Sequence, residues 1–178
     1  MENKYTNAVD FFKAKVKMQV PNEAVLILAA YELRTPENIG AIIRLAGNLG
    51  VEQVFFISEE NELNATKIAR VAHSSIKNVR FSFLKKTEFF DVIPTDFECV
   101  AVETAEKATN IFATPLPKKC VLLFGNERYG ISQDILDRIS KTVFIPLVGK
   151  TMSMNVSHAV SVAAFEWGRQ YLGLLEIQ

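Results

Sequence analysis

The chain is poor in the residues that build metal centres, disulfide frameworks and histidine-based catalysis. It has two cysteines, Cys99 and Cys120, and two histidines, His73 and His158, in 178 residues. Each cysteine opens an apolar run, and two are too few for a disulfide framework, so both read as buried free thiols. No Cys/His group has metal-ligand spacing, so no metal is expected. Charge of one sign is also lacking, since 20 Lys and Arg balance 20 Asp and Glu and the pI is about 6.7. Capture of nucleic acid by overall charge is thereby excluded, although a local basic patch is not. No apolar run reaches the length of a membrane span, and no membrane association is expected. The first six residues lack the apolar core of a signal peptide, so a cytoplasmic protein is expected.

What is present is an ordinary soluble composition, 49% hydrophobic and 22% charged. A chain of this length buries roughly 70% of its unfolded surface, enough for a single core. One domain over residues 1–178 is expected. No repeat, linker or low-complexity tract divides the chain. Residues 1–20 read as a helix carrying Lys13, Lys15 and Lys17, most simply a solvated face.

Apolar, β-branched runs recur at 24–31, 52–58, 78–84, 99–104, 120–125 and 142–147 and read as strands. Helical segments are read at 35–46, 64–74, 85–93, 133–139 and 156–175. This alternation predicts an α/β fold, a parallel sheet with helices on both faces. Thr35, Pro36 and Glu37 suit an N-cap, first position and first turn. Ile39, Ile42, Ile43 and Ala46 then give that helix its buried face. Gly40 in its interior costs about 1 kcal/mol relative to alanine, so something is expected to approach closely there. Arg44 taken alone is a solvated helix arginine. Lys67, Arg70 and His73 stand near one side of the next helix, as phosphate contacts or as a solvated surface. His158 is expected to cap or pack rather than act as a base, because no partner is identifiable by spacing.

Two loops follow strand ends directly. Gly125-Asn126-Glu127-Arg128-Tyr129-Gly130 is neither the dinucleotide fingerprint nor a phosphate-binding loop. A buried Glu127 would need a partner, with Arg44 and nearby amides as candidates. Ser132 is expected to cap the helix after it. The second loop runs from Ile145-Pro146 through Gly149 to Ser153-Met154-Asn155, with Ser153 or Asn155 as the helix cap. Pro146 should end the strand. Loops at strand C-termini are where open α/β sheets bind ligands.

Three segments in this order, Asn38-Ile39-Gly40-(x)3-Arg44, Phe124 to Ser132, and Ile145-Pro146 through Ser157, resemble the three motifs of the SpoU (TrmH) family. That family belongs to the SPOUT class of RNA methyltransferases, and the resemblance spans residues 24–172. It implies methyl transfer from S-adenosyl-L-methionine to a ribose 2′-hydroxyl of tRNA or rRNA, a C-terminal trefoil knot, and a homodimer. The interface would involve the last helix and the first motif helix. The sequence departs from the family pattern at Leu45, Leu147 and Met154, keeping apolar character and losing one hydroxyl, at Leu45. A separate RNA-binding domain is not expected, and the RNA surface would draw on Lys67, Arg70, Lys118 and Lys150.

The resemblance also implies roles. Glu103, Thr104, Gly125, Ile145, Leu147 and Met154 match the cofactor-binding positions. Asn38, Arg44, Glu127, Ser153 and Asn155 match the polar active-site set. Asn38 and Glu127 would orient Arg44, while Ser153 and Asn155 would order the loop and the RNA sugar-phosphate. The family's arginine is proposed as the base, yet free arginine stays protonated, so stabilisation of an alkoxide is an equal alternative. Two other functions stay open at this level: a flavodoxin-like nucleotide-binding protein, and a non-catalytic knotted RNA binder.

Overall fold

The computed structural model describes residues 23–59 and 65–172. The helix expected over residues 1–20 and the tail beyond 172 lie outside them. Seven strands form one sheet: β1 (Val25–Tyr31), β2 (Gln53–Ile57), β3 (Phe81–Leu84), β4 (Glu98–Val102), β5 (Thr109–Asn110), β6 (Lys119–Phe124) and β7 (Lys141–Phe144). Their order is β3-β2-β1-β6-β4-β7-β5, and every pairing is parallel. The helices are α1 (Pro36–Leu49), α2 (Ala65–Ala72), α3 (Gln133–Leu136) and α4 (Val156–Tyr171).

The central strands are continuous apolar runs because both faces are covered. Leu26, Leu28, Cys120, Leu122 and Phe124 face the layer that holds α1, α2 and α4. Ile27, Ala29, Val121 and Leu123 face Phe89, Ile131 and Ile135 on the other side. Cys99 and Cys120 sit one residue out of register on neighbouring strands, since Cys99 pairs with Val121 and Cys120 with Glu98. They therefore point to opposite faces, and both are free.

Helix α1 buries Ile39, Ile42, Ile43 and Ala46 as its spacing requires. Thr35 caps it through the backbone, its carbonyl accepting from the amides of Asn38 and Ile39. Gly40 admits another helix rather than a ligand: a Cβ there would lie 2.7 Å from Val71 Cβ and 2.8 Å from the Ile68 carbonyl. Helix α4 closes the sheet by docking on the segment before β6. Trp167 Nε1 donates to the Pro117 carbonyl at 2.9 Å, and Gln170 accepts from the Leu116 amide at 2.9 Å.

Several expected elements differ. Residues 85–93 form turns and one 3-10 turn, Phe89–Asp91, because Phe89 and Phe90 are drawn into the core rather than along a helix stripe. The helix expected over 133–139 stops at Leu136, and Ser132 holds its cap position with no side-chain bond. The strand read at 142–147 ends at Phe144, ahead of Pro146. The helix read at 64–74 ends at Ala72, and His73 adopts a left-handed φ of 51° that starts a 3-10 turn. β5 has two residues, too short to leave a pattern in the sequence.

Candidate functional site

β6, β4 and β7 are neighbours, so their C-terminal ends lie side by side. Each gives way to a loop: Glu103-Thr104 after β4, Gly125-Asn126-Glu127 after β6, and Ile145-Pro146-Leu147 after β7. Together with residues of the 148–155 segment they bound a cleft of about 610 Å³. Clefts of this size suit small organic ligands. All six residues expected to bind a cofactor, Glu103, Thr104, Gly125, Ile145, Leu147 and Met154, line it. Glu127 and Ser153 line it too, whereas Asn38, Arg44 and Asn155 are outside its lining.

One side chain ties the three motifs together. Asn38, 7% exposed in the first turn of α1, donates from Nδ2 to Glu127 Oε1 at 2.6 Å. Its Oδ1 accepts from Asn155 Nδ2 at 3.2 Å. Asn155 Oδ1 in turn accepts from the Ser157 amide at 2.8 Å and its hydroxyl at 2.7 Å, capping α4. The direction of every bond is forced. The helix amide needs an acceptor, so Asn155 turns its Nδ2 to Asn38; Asn38 then faces Glu127 with Nδ2, and an ionised carboxylate can only accept. Burial makes the arrangement stringent, because an unpaired amide there would cost about 1–3 kcal/mol.

A second set of bonds shapes the loop after β6. Asn126 exchanges both backbone hydrogen bonds with Gly130, at 3.0 Å each. Its Oδ1 accepts from the amides of Arg128 (2.8 Å) and Tyr129 (3.1 Å), and its Nδ2 donates to the Glu32 carbonyl at 2.6 Å. Gly130 sits at φ 66°, and a Cβ there would come 2.5 Å from Glu103 Oε2. The Glu103 carboxylate fills that space. Its Oε2 accepts from the Ile131 amide at 3.0 Å, and its Oε1 from the Thr104 amide at 2.9 Å and hydroxyl at 3.3 Å. Glu103 thus joins the end of β4 to the end of the loop after β6.

Two expectations need correction. The partner of Glu127 is Asn38 and not Arg44. Among the described residues Arg44 makes no hydrogen bond or ion pair, and it is exposed. Its position on α1, away from both the buried face and Asn38, accounts for this. His158 is exposed, and the cap is made by Asn155. Of the two cap candidates for α4, Asn155 makes the cap and Ser153 is exposed on the cleft. Lys67 lies 4.0 Å from Glu37 of α1. Sequence reasoning missed Asn126 as an organising residue, and also Arg128, Tyr129 and Met152, which line the cleft. An asparagine directly before Glu127 in a loop closed by glycine was the available signal, since Asn side chains bond their own backbone two residues on. Among the described residues no group of three His, Cys, Asp or Glu could hold a metal ion, and no helix is long and apolar enough to cross a membrane.

Comparison with known proteins gives a consistent picture. The model of the SpoU rRNA Methylase family matches residues 25–165. The 23S rRNA (guanosine-2′-O-)-methyltransferase of Acinetobacter baylyi is 28% identical over 155 residues, 85% of this chain and 62% of that protein. The tRNA (guanosine(18)-2′-O)-methyltransferase of Aquifex aeolicus is 28% identical over 149 residues, 82% of this chain and 69% of that protein. The chain thus spans about two thirds of the length of these relatives. Among solved structures, one described as giving insight into the 2-OH methylation of C/U34 on tRNA superposes with a TM-score of 0.75 at 27% identity, covering 83% of this chain and 97% of that one. An AdoMet-bound rRNA methyltransferase from Sinorhizobium meliloti shares the fold, with a TM-score of 0.77 at 24% identity, covering 84% of this chain and 57% of that one.

Proposed function

The chain belongs to the SpoU rRNA methylase family, and on that footing we propose that it transfers a methyl group from S-adenosyl-L-methionine to a ribose 2′-hydroxyl of tRNA or rRNA. The observation that carries this reading is the Asn155–Asn38–Glu127 chain of hydrogen bonds beside a cleft lined by Glu103, Thr104, Gly125, Ile145, Leu147 and Met154. The cleft suits the donor chemically. Ile145, Leu147 and Met154 offer apolar walls, the loops offer backbone groups, and the Glu103 carboxylate offers negative charge to a sulfonium-bearing ligand. When bound, the cofactor supplies an electrophilic methyl carbon with its own leaving group, so no metal is required.

What remains for the protein is positioning and electrostatics. Asn38, held at both ends, fixes Glu127 and Asn155 relative to each other and so sets the separation of two cleft walls. Ser153, exposed on the cleft, meets the sugar-phosphate. Arg44 stabilises charge on the attacking oxygen and binds phosphate. Its guanidinium keeps its proton, so the proton released from the 2′-hydroxyl as the O–CH3 bond forms passes to another group. We read the active molecule as a cytoplasmic homodimer of single-domain, knotted chains, with α1 and α4 at or near the interface. Phe165, exposed on α4, supports that surface. A monomer at micromolar concentration by sedimentation contradicts the dimer.

The test is single-turnover methyl transfer at saturating RNA, after mapping the ribose methylations lost on gene deletion. Arg44→Lys and Arg44→Ala should each lose about 10²–10³ in rate, because lysine cannot reproduce the planar fork. Calorimetric affinity for S-adenosylmethionine should stay near normal in both. Near-normal turnover of Arg44→Ala removes Arg44 from the mechanism. Tight binding of a nicotinamide or flavin, with no binding of the methyl donor, overturns the reading as a whole.

A further inference from the structure

Tyr129 stands at the mouth of the cleft with 71% of its surface exposed, an unusual position for a large aromatic side chain. Its backbone is firmly held. The Tyr129 amide donates to Asn126 Oδ1, and the Asn126–Gly130 backbone pair closes the loop on either side. The Arg128 guanidinium lies 5.3 Å from the ring centroid, in cation–π contact. A tyrosine side chain has two χ angles and little to lose on binding, so a held tyrosine is a preorganised contact surface. Met152, 74% exposed, lines the same cleft and adds polarizable surface.

Resting on the methyltransferase reading above, we propose that Tyr129 is a stacking platform for an unpaired nucleobase of the RNA, at or beside the nucleotide whose ribose is methylated, with Arg128 supplying the adjoining positive charge. The chemistry fits on two counts. An exposed ring accepts any base π-face, and stacking on Arg-backed aromatics is a common device for single-stranded RNA. A cationic side chain against the ring complements the phosphate that must accompany each base. Tyr129 lines the same cleft as the donor-binding residues, and its exposed ring leaves surface free for a second ligand beside the donor. Tyr129 sits two residues after Glu127, so a base held on it is presented beside the Asn38–Glu127 pair.

The experiment uses the full chain and a short single-stranded RNA containing 2-aminopurine, whose fluorescence falls on stacking. Wild-type protein should quench the probe. Tyr129→Phe should keep its affinity within about twofold, because the hydroxyl is not part of the contact. Tyr129→Ala and Tyr129→Leu should weaken binding roughly 5- to 150-fold, with Leu showing that apolar bulk alone is insufficient. Calorimetric affinity for S-adenosylmethionine should not change in any variant. Unchanged probe affinity in Tyr129→Ala overturns the platform. A parallel loss of donor affinity also overturns it and moves Tyr129 to the cofactor. The two readings fail separately. A wild-type protein that binds no methyl donor and methylates no RNA removes the methyltransferase reading before any variant is made. A wild type that methylates RNA and is matched by Tyr129→Ala removes only the platform.

Discussion

Replacing Asn38 by Asp tests the hub of the site with the smallest change of shape. The substitution puts an oxygen where Nδ2 now stands, 2.6 Å from Glu127 Oε1. Two full charges at that distance repel by about 6 kcal/mol at an effective dielectric of about 20. Glu127 is exposed and can swing away. At a separation of about 6 Å the repulsion falls to about 3 kcal/mol, but the hydrogen bond is lost. A net loss of about 2–4 kcal/mol at pH 7.5 follows, allowing for the hydration that Glu127 regains. The alternative is to share a proton, which restores a hydrogen bond and removes the repulsion. The pair then binds a proton above the ordinary carboxylate range in the folded state only. The sign is fixed: stability contributed by that proton is present at low pH and disappears as pH rises through the folded-state titration. Urea unfolding of Asn38→Asp should therefore show a deficit against wild type that shrinks by about 1–3 kcal/mol between pH 7.5 and pH 5. Asn38→Ala should show a deficit that varies little over the same range. An Asn38→Asp deficit independent of pH would refute the argument that Asn38 and Glu127 are in direct contact.

The remaining expectations are simpler. In Gly125→Ala the new Cβ would lie 2.3 Å from the Gly130 carbonyl carbon and 2.6 Å from the Ile131 amide nitrogen, both backbone atoms. A loss of about 2–3 kcal/mol, and a melting temperature lower by about 5–10 °C, should follow. Gly149→Ala, which meets nothing within 4 Å, should stay within about 0.5 kcal/mol of wild type. Glu166, 5% exposed, is held below the usual carboxylate range by the Arg169 guanidinium that donates to it. Its contribution is present above the ordinary carboxylate pKa and lost as pH falls below it, so Glu166→Gln should flatten the acid limb of the stability profile. Burial pushes the Cys99 thiol up to about 12 and raises Cys120 further. Neither should react with a thiol reagent at pH 8 until denaturant is added, which a colorimetric titration checks.

The layers of the fold were legible because apolar periodicity reports burial directly. β1 reads as a continuous apolar run and is buried on both faces, and α1 buries Ile39, Ile42, Ile43 and Ala46, the residues read at helical spacing. Strand ends were less legible, since pairing with a neighbour and not composition decides where a ladder stops: Ile145 and Leu147 are apolar, yet β7 ends at Phe144. The 85–93 segment misled for a related reason. Its phenylalanines belong to the far face of the sheet, and nothing local announces a face reached through tertiary contact. At the site, eight of the residues that motif order implied line the cleft, while Asn38, Arg44 and Asn155 lie outside its lining. Motif order did not identify who bonds to whom. For Glu127 the candidates were Arg44 and nearby amides, and the partner is the side-chain amide of Asn38, 89 residues earlier in the chain. Asn126 was passed over because its partners are backbone groups, which the sequence does not display.

Arg44 is the residue on which the mechanism and the geometry meet least directly, and α1 explains why. Asn38 and Arg44 are six residues apart, about 9 Å along the axis and about 120° apart around it. Asn38 is fixed against Glu127 and Asn155, so Arg44 is turned away from them. The helix cannot rotate to bring it in. Ile39, Ile42 and Ile43 are buried in the core, and exposing each would cost about 1.5–3 kcal/mol. Gly40 is pressed against Val71 and the Ile68 carbonyl, so the face toward α2 is fixed as well. Whatever Arg44 contacts during the reaction must therefore come to Arg44, or be reached by its long side chain alone. This gives the arginine variants a clean control. An exposed side chain with no bond among the described residues contributes little to folding, so Arg44→Ala should leave the unfolding free energy within about 0.5 kcal/mol of wild type. A large loss of turnover at unchanged stability would then belong to the substrate complex. A stability loss of several kcal/mol would instead mean that Arg44 has a structural partner, and a rate deficit in that variant would say nothing about chemistry.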